Sequence, residues 1–412
     1  MEFQEKLEIY ANLLVVHGLN VQPGQLVNIT SELIHRDLVE IMVKVAYSRG
    51  AKYVHVDFID PALVRLRIQE SKSDKYLQYV PRYFPIKYED FVDEEAAVIR
   101  IIGSENPDSL ADLPPQKVND LQSSIRKSLK RYYAEGVGMS KVQWTVAAAS
   151  TPEWGKKVFP ELDASQAYLA LWDSIFKICR ADQKNCLQIW DQHQQHLRDR
   201  GMKLTELEIK ELHFKGPGTD LKVGLSPKAV FKGGGETTPK GIDFEANIPT
   251  EECFTTPDYR LTEGKVRVTR PVLVNGKMIK GLQLEFHKGE IKTFSAKEGQ
   301  EHFAAYIAND KGARRLGEVA LVGTDSPIYQ SKRVFEEILF DENAACHIAV
   351  GFAYRFCIAG GPNMTAEELE AVGCNDSHVH TDLMISSEEV DVIAHTYKGE
   401  HVPLITKGKW VI

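Results

Sequence analysis

The sequence lacks the cysteine spacing, long apolar runs and leader that mark proteins of oxidising or membrane compartments. Its six cysteines are scattered without a CxxC pair, which favours reduced thiols of an intracellular protein over disulfides or a Cys-type zinc site. No stretch reaches the roughly 18 consecutive apolar residues that a membrane span needs. The first residues are acidic and amphipathic, unlike the basic start and apolar centre of a signal peptide. We therefore expect a globular cytoplasmic protein without a membrane partner.

Positive charge and nucleotide-binding glycine motifs are also missing. The net charge is -8 and the pI is near 5.9, and no basic run is denser than Ile125 to Tyr133. This argues against a nucleic-acid partner, because such proteins carry a clustered positive patch. Neither GxGxxG nor the P-loop pattern follows a predicted strand, and we interpret Gly233 to Gly235 as a loop rather than a phosphate-binding turn.

The length and the apolar content predict more than one domain. With 412 residues, of which 43% are hydrophobic, the chain is long enough for two or three cores. Residues 1–204 alternate strand and helix patterns, which predicts a doubly wound α/β domain with a parallel sheet. Strands are predicted at 25–30, 52–58, 96–104 and 141–150, and helices at 3–18, 35–50, 115–135, 164–180 and 187–200.

Residues 205–412 show a different sequence pattern. Alternating apolar and polar residues separated by turn signals predict a mixed, β-rich α+β domain. Asn275-Gly276 is a strong two-residue hairpin signal, and Lys288-Gly289 predicts another turn. We expect this second domain to bind metal and the first to act as a scaffold that covers the substrate.

The densest cluster of reactive side chains runs from Asn343 to Ile385. His347, His380 and Asp382 lie there in apolar, strand-like surroundings, where such groups are costly to bury unless they are hydrogen-bonded, paired or bound to a metal. Residues i and i+2 of a strand project from the same face, so His380 and Asp382 point toward one place. A hydrogen-bonded pair on a half-buried strand is the simpler explanation of this triplet alone, so further ligands are needed.

Three upstream segments supply carboxylates. Glu318 lies inside a short apolar strand, on the face opposite its larger aliphatic neighbours. Glu342 comes five residues before a histidine, a spacing that predicts a turn leading into a strand. The adjacent Glu251 and Glu252 lie between two prolines in a loop, where one acid can bind a metal while the other meets substrate.

These candidates together carry too much negative charge for one cation to balance. The set contains four carboxylates and two imidazoles: Glu252, Glu318, Glu342, His347, His380 and Asp382. Two divalent ions fit better. Nitrogen and oxygen donors without sulfur favour zinc or cobalt in an open catalytic site, with manganese and magnesium as further candidates.

The same motifs resemble the aminopeptidase T and aminopeptidase S family of dinuclear metallo-aminopeptidases. Four stretches in the expected order carry the resemblance: NIPTEECFTTPD at 247–258, ARRLGEVALVG at 313–323, ENAACHIAVGFAY at 342–354 and NDSHVHTDLMI at 375–385. The resemblance covers nearly the whole chain. It implies that the six candidates above are the metal ligands and that Tyr354 lies at the reaction centre. It also implies an N-terminal α/β domain, a C-terminal domain that holds both metals, and a homodimer.

Three neighbouring residues are alternatives to this ligand set. His378 adds an imidazole on the same strand face as His380, and we interpret it as a hydrogen-bonding neighbour rather than a ligand. Cys253 and Cys346 each adjoin a proposed ligand, but on a strand their side chains would point away from the metals. Thiolate ligation remains a minor alternative.

The predicted chemistry is removal of single residues from peptides with a free N-terminus. Two divalent ions can share a water and lower its pKa. Glu251 is our candidate general base, and Tyr354 is our candidate donor to the developing oxyanion. A solvated loop acid and a core aromatic are the respective structural alternatives. A dinuclear phosphoesterase or other metallohydrolase is the second functional class, and a metal-stabilised binding protein is the third.

Overall fold

The chain folds into two compact units. The computed structural model describes residues 1–274 and 276–412. The first unit comprises Met1–Asp191 and Gly235–Pro249, and the second comprises Gln192–Gly234 and Thr250–Ile412. Residues 192–204 thus belong to the second unit and residues 235–249 to the first. The predicted domain division between residues 204 and 205 stays a prediction. The predicted combination of an α/β half with a mixed, β-rich half is confirmed by the sheets described below.

The first unit is built on a five-stranded parallel sheet with the order β2-β1-β3-β4-β9. The strand order reverses beside β1, which is the topology of a doubly wound sheet. Its strands are β1 Leu26–Glu32, β2 Tyr53–Ile59, β3 Ala97–Ile102, β4 Gln143–Ala148 and β9 Asn247–Ile248. A separate two-stranded ribbon pairs β7 Glu236–Thr237 with β8 Asp243–Phe244.

Each of the five predicted helices of this half corresponds to a helix of the structure with similar bounds, and four further helices were not predicted. The predicted helix at 3–18 is an α-helix that continues as π-helical turns over Leu13–Gly18, and the one at 115–135 changes in the same way over Tyr132–Val137. The helices are α1 Phe3–Asn12, α2 Arg36–Ser48, α3 Pro61–Glu70, α4 Asp74–Leu77, α5 Tyr83–Asp93, α6 Pro115–Ser128, α7 Pro152–Val158, α8 Ala164–Ile178 and α9 Cys186–Glu206. Among the described residues, no helix is long and apolar enough to cross a bilayer.

The second unit contains an eight-stranded sheet with the order β15-β14-β11-β6-β5-β19-β20-β21, paired antiparallel throughout. Its strands are β5 Ile209–Gly216, β6 Thr219–Leu225, β11 Pro257–Arg267, β14 Gln283–His287, β15 Glu290–Ser295, β19 Asp391–Thr396, β20 His401–Thr406 and β21 Lys409–Trp410. The predicted turn at Lys288-Gly289 is confirmed: both residues have positive φ angles, as a tight hairpin requires.

A short hairpin and several small helices complete the second unit. β12 Val272–Val274 pairs antiparallel with β13 Lys277–Ile279. The predicted hairpin signal falls partly on Asn275, which lies outside the described residues. The remaining helices are α10 Gln300–Tyr306, α11 Pro327–Gln330, α12 Ile338–Asp341 and α13 Ala366–Ala371.

The candidate residues belong to a separate four-stranded antiparallel sheet, which we call the site sheet. Its order is β10-β16-β17-β18, with strands β10 Cys253–Thr255, β16 Leu316–Leu321, β17 His347–Gly351 and β18 His380–Met384. One face carries Val319, Leu321, Ile348 and Leu383 into the apolar core of the unit. Because side chains alternate along a strand, the residues between them project from the opposite face.

Candidate metal centre

The register of the site sheet aligns the candidate side chains. Glu318 pairs with Ala349 across β16 and β17, and Ala349 pairs with Asp382 across β17 and β18. The two acids therefore flank a residue with a single methyl group, which leaves space above the sheet. His347 lies two residues along β17 from Ala349, and His380 lies two residues along β18 from Asp382, so all four side chains share one face.

Two overlapping groups of potential ligands result. Glu252, Glu318 and His347 form one group, and Glu318, His380 and Asp382 form the other; within each, the donor atoms lie within 4.8 Å of one another. His347 Nε2 is 3.2 Å from a Glu252 oxygen and 3.8 Å from a Glu318 oxygen. His380 Nε2 is 3.4 Å from the other Glu318 oxygen and 3.5 Å from Asp382. Glu318 thus belongs to both groups, through different oxygens.

Glu342 lies next to these groups but belongs to neither. It begins the 3-10 turn Glu342–Ala344 that leads into β17, as the spacing predicted. Its pKa is raised well above the usual value, first by burial and then by the charges of Asp382 and Glu252. Glu342, the fourth predicted carboxylate, is therefore close enough to interact electrostatically with the other acids but is not a member of either ligand group.

Main-chain carbonyl groups orient both histidines. His380 Nδ1 lies 2.8 Å from the Phe352 carbonyl oxygen, and His347 Nδ1 lies 3.3 Å from the Ala345 carbonyl oxygen. When the ring is neutral, an Nδ1–H that donates to a carbonyl leaves Nε2 with a lone pair for a metal. In each ring that Nε2 is the atom that faces the carboxylates. Burial acts to lower the pKa of both rings, but without a cation the neighbouring carboxylates outweigh it and raise that pKa well above its usual value.

The electrostatics of the cluster suit cations. Burial raises the pKa of Glu252. Burial also acts to raise the pKa of Glu318, but His347 and His380 outweigh it and lower that pKa to about 2. Glu252 Oε2 is buried and makes no hydrogen bond of good geometry, although it lies 3.2 Å from His347 Nε2. Buried anionic oxygens need compensation by hydrogen bonds or a cation, so this donor set fits divalent metal ions.

Tyr354 lies beside the two groups, and Glu251 directly precedes Glu252 in the chain, with its side chain near His193 and Arg200 of α9. The Glu251 carboxylate is 3.5 Å from His193 Nε2, and its main-chain N–H donates to Asn343 Oδ1 at 2.7 Å. The Tyr354 ring is 5.3 Å from the His380 ring, centroid to centroid. Burial, followed by the charges of Glu318 and its neighbours, raises the pKa of Tyr354 well above its usual value. Tyr354 therefore keeps its phenolic proton.

The three alternative ligands are not part of either group. The side chain of His378 is exposed, and its main-chain N–H donates to Asp310. Cys253 and Cys346 are fully buried in the apolar core, on the face opposite the acids. Burial raises the pKa of both thiols, to about 12 for Cys253, which disfavours thiolate ligands.

Sequence reasoning missed the polar residues that fix the strand ends. Asn375 donates to the carbonyl groups of Gly312 and Gly351, at 2.9 and 2.7 Å, and so ties the turn before β16 to the end of β17. Ser377 donates to the Asp310 carboxylate at 2.9 Å. Their only sequence signal was the Asn-Asp-Ser run directly before the histidine-rich strand.

A family model supports what the geometry indicates. The model described as thermophilic metalloprotease (M29) matches residues 3–410. The chain belongs to the M29 family. The predicted resemblance is thereby confirmed, because relatives within it include proteins named aminopeptidase T.

Two relatives and one solved structure are similar to this M29 chain over almost its whole length. It is 38% identical to aminopeptidase PepS of Streptococcus thermophilus over 411 residues, covering 100% of this chain and 99% of that protein. It is 37% identical to aminopeptidase AmpS of Bacillus subtilis (strain 168), covering 99% of each. The structure of wild-type AmpT from Thermus thermophilus aligns with a TM-score of 0.93 at 36% identity over 100% of both chains.

Proposed function

We propose that this M29 protein is a metal-dependent aminopeptidase that releases single N-terminal residues from peptides at the site sheet, with two divalent ions per chain. Its class, a metallo-aminopeptidase, follows from the family and from relatives named aminopeptidases. The observation that carries the proposal of two ions is the position of Glu318, which belongs to both ligand groups through different oxygens.

The ligand assignment extends this geometry. Glu252 and His347 would hold one ion, His380 and Asp382 the other, and Glu318 would bridge them, with Glu342 as the remaining ligand. Nitrogen and oxygen donors favour zinc or cobalt, with manganese and magnesium as alternatives. Bound there, a pair of divalent ions lowers the pKa of a water and polarises a peptide carbonyl.

Glu251 is the proposed general base. It directly precedes the proposed ligand Glu252 in the sequence, and it belongs to neither ligand group. Its carboxylate can accept a proton from the attacking water and return that proton to the amine that leaves when the peptide bond breaks. His193 Nε2 lies 3.5 Å from the carboxylate.

Tyr354 is the proposed donor to the oxyanion. The raised pKa keeps its hydroxyl protonated, so it can donate a hydrogen bond to the oxygen on which charge develops. A carboxylate of the cluster would bind the free α-ammonium group of the substrate. Internal peptide bonds lack that group, which explains the restriction to the N-terminus.

The phosphoesterase alternative is not favoured, because the family and the named relatives are peptidases. The direct test is hydrolysis of aminoacyl reporter amides and of phosphate esters, each before and after chelation and after return of zinc or cobalt. We expect metal-dependent turnover of the amides alone. Metal-dependent turnover of the phosphate esters alone would contradict the proposal.

We further propose that the enzyme is a cytoplasmic homodimer. The family resemblance in the sequence supports the dimer, and six free, buried cysteines suit a reducing compartment. Light scattering coupled to size-exclusion chromatography measures the mass directly. A mass near that of one 46.4 kDa chain would exclude the dimer.

A further inference from the structure

Asn343 is a fully buried amide in the 3-10 turn before β17. Its Oδ1 accepts the Glu251 N–H at 2.7 Å. Its Nδ2 donates to the Leu339 carbonyl oxygen at 3.1 Å and lies 3.4 Å from Glu342 Oε1. One side chain therefore links the loop that carries Glu251 to the segment that carries Glu342.

The loop it holds has little other regular structure. Residues 249–252 belong to no helix or strand, and β10 begins only at Cys253. The carbonyl group of the preceding residue, Thr250, lies 2.8 Å from His193 Nε2. The peptide bond between Thr250 and Glu251 is thus held from both ends, by His193 at the carbonyl and by Asn343 at the N–H.

An amide suits this arrangement. The Glu251 N–H needs an acceptor and the Leu339 carbonyl needs a donor, and the Asn343 amide offers both from one small planar group. Aspartate would keep the acceptor but direct a second oxygen at Leu339 and Glu342, among acids that are already crowded. Alanine would leave a buried N–H and a buried carbonyl unsatisfied, which is costly.

We infer that Asn343 is a positioning residue for catalysis, which fixes the main chain at Glu251 and with it the point from which that side chain extends. This inference rests on the proposed function, with Glu251 as general base. Proton transfer depends on placement of the base within hydrogen-bond reach of the water, and small displacements of a catalytic group lower the rate steeply. Asn343 acts through Glu251 and touches no substrate.

The test is a double-mutant cycle in the metal-loaded enzyme with an aminoacyl reporter amide. Asn343→Ala is expected to lower kcat by about tenfold or more, within the range that a general base contributes, and to change KM by less than about threefold. In the Glu251→Gln background the same substitution is expected to change kcat by less than about threefold, because groups that act as a unit are not additive.

A matched control separates positioning from loss of stability. Thr255 is also fully buried and donates its hydroxyl hydrogen bond to the Val230 carbonyl, at 2.9 Å. Thr255→Val removes one buried hydrogen bond near the same loop. We expect it to lower the thermal midpoint about as much as Asn343→Ala while kcat stays within about twofold. Metal content, measured by elemental analysis, is expected to be the same in both variants and the parent.

Three results would overturn the inference. The first is that Asn343→Ala lowers kcat by the same factor in the parent and in the Glu251→Gln background, since that would mean an independent structural effect. The second is recovery of kcat in Asn343→Ala with excess metal, which would assign the residue to metal retention. The third is an unchanged kcat. A parent enzyme without metal-dependent activity on any aminoacyl substrate would instead contradict the proposed function itself.

Discussion

The site sheet and the eight-stranded sheet are both antiparallel, yet they place charged side chains in opposite environments. On the eight-stranded sheet, Glu285 lies 3.6 Å from Lys265, and the two side chains are 44% and 70% exposed. On the site sheet, Glu318 and Asp382 are each 5% exposed and His347 is 1% exposed. Water solvates the first set of charges, whereas the second must be compensated within the protein.

This difference separates a solvated surface from a site. An exposed ion pair contributes about 0–1 kcal/mol to the free energy of unfolding, so its residues can be substituted with little effect. A buried group of carboxylates destabilises the fold unless histidines or cations balance it, so it persists where it has a function. The sequence reflects the difference: the charged residues of the site sheet lie among apolar residues, whereas the strands of the eight-stranded sheet alternate apolar and polar residues.

The largest predicted effect comes from removal of a site-sheet ligand. Glu318→Gln and His347→Ala are each expected to abolish metal-dependent cleavage of an aminoacyl amide, because each removes a ligand of the proposed metal pair. The first unit should stay folded, which circular dichroism and limited proteolysis can check. Full activity in either variant would mean that the buried charges of the site sheet are not required for catalysis.

Glu251→Gln is expected to have the next largest effect. The amide keeps the shape of the side chain but cannot accept the proton, so kcat should fall by about 10²–10⁴-fold with the metal content unchanged. Steady-state kinetics and elemental analysis measure the two quantities. Loss of metal would mean that Glu251 is a ligand and that the division between the two adjacent acids is wrong.

Tyr354→Phe is expected to lower kcat by about 10²-fold, the typical effect of losing one donor to an oxyanion. KM should change much less, because the hydrogen bond strengthens as charge develops on the oxygen. The ring would remain against His380, so the fold should be unaffected. If kcat does not change, Tyr354 is a packing residue.

Glu285→Gln on the eight-stranded sheet is the matched substitution with the smallest expected effect. It makes the same chemical change as Glu318→Gln but at a solvated ion pair, so stability should change by less than about 0.5 kcal/mol and activity by less than about twofold. Thermal unfolding and the same reporter assay check this. A loss of activity comparable to that of Glu318→Gln would show that burial does not separate the two faces.

Local patterns predicted much of this picture. The alternation around Glu318 predicted its face correctly, and the spacing before His347 predicted the turn that carries Glu342. The β-α-β order likewise predicted the parallel sheet of the first unit. These features depend on residues close in sequence, where spacing and periodicity are informative.

Long-range pairing could not be predicted in the same way. Cys253 pairs with Leu321, and Ala349 pairs with both Glu318 and Asp382, over separations that no local pattern encodes. The separate site sheet was therefore not expected, and neither was the place of residues 235–249 in the first unit. Asn343 was overlooked because its role depends on a loop more than 90 residues earlier in the chain.

The most direct test of the central claim is the metal stoichiometry of the chelated and reconstituted enzyme, measured by elemental analysis together with turnover of an aminoacyl amide. The account predicts two divalent ions per chain in the active parent, loss of turnover when they are removed, and fewer than two in Glu318→Gln. Full turnover by metal-free protein, or two ions retained in Glu318→Gln, would contradict it.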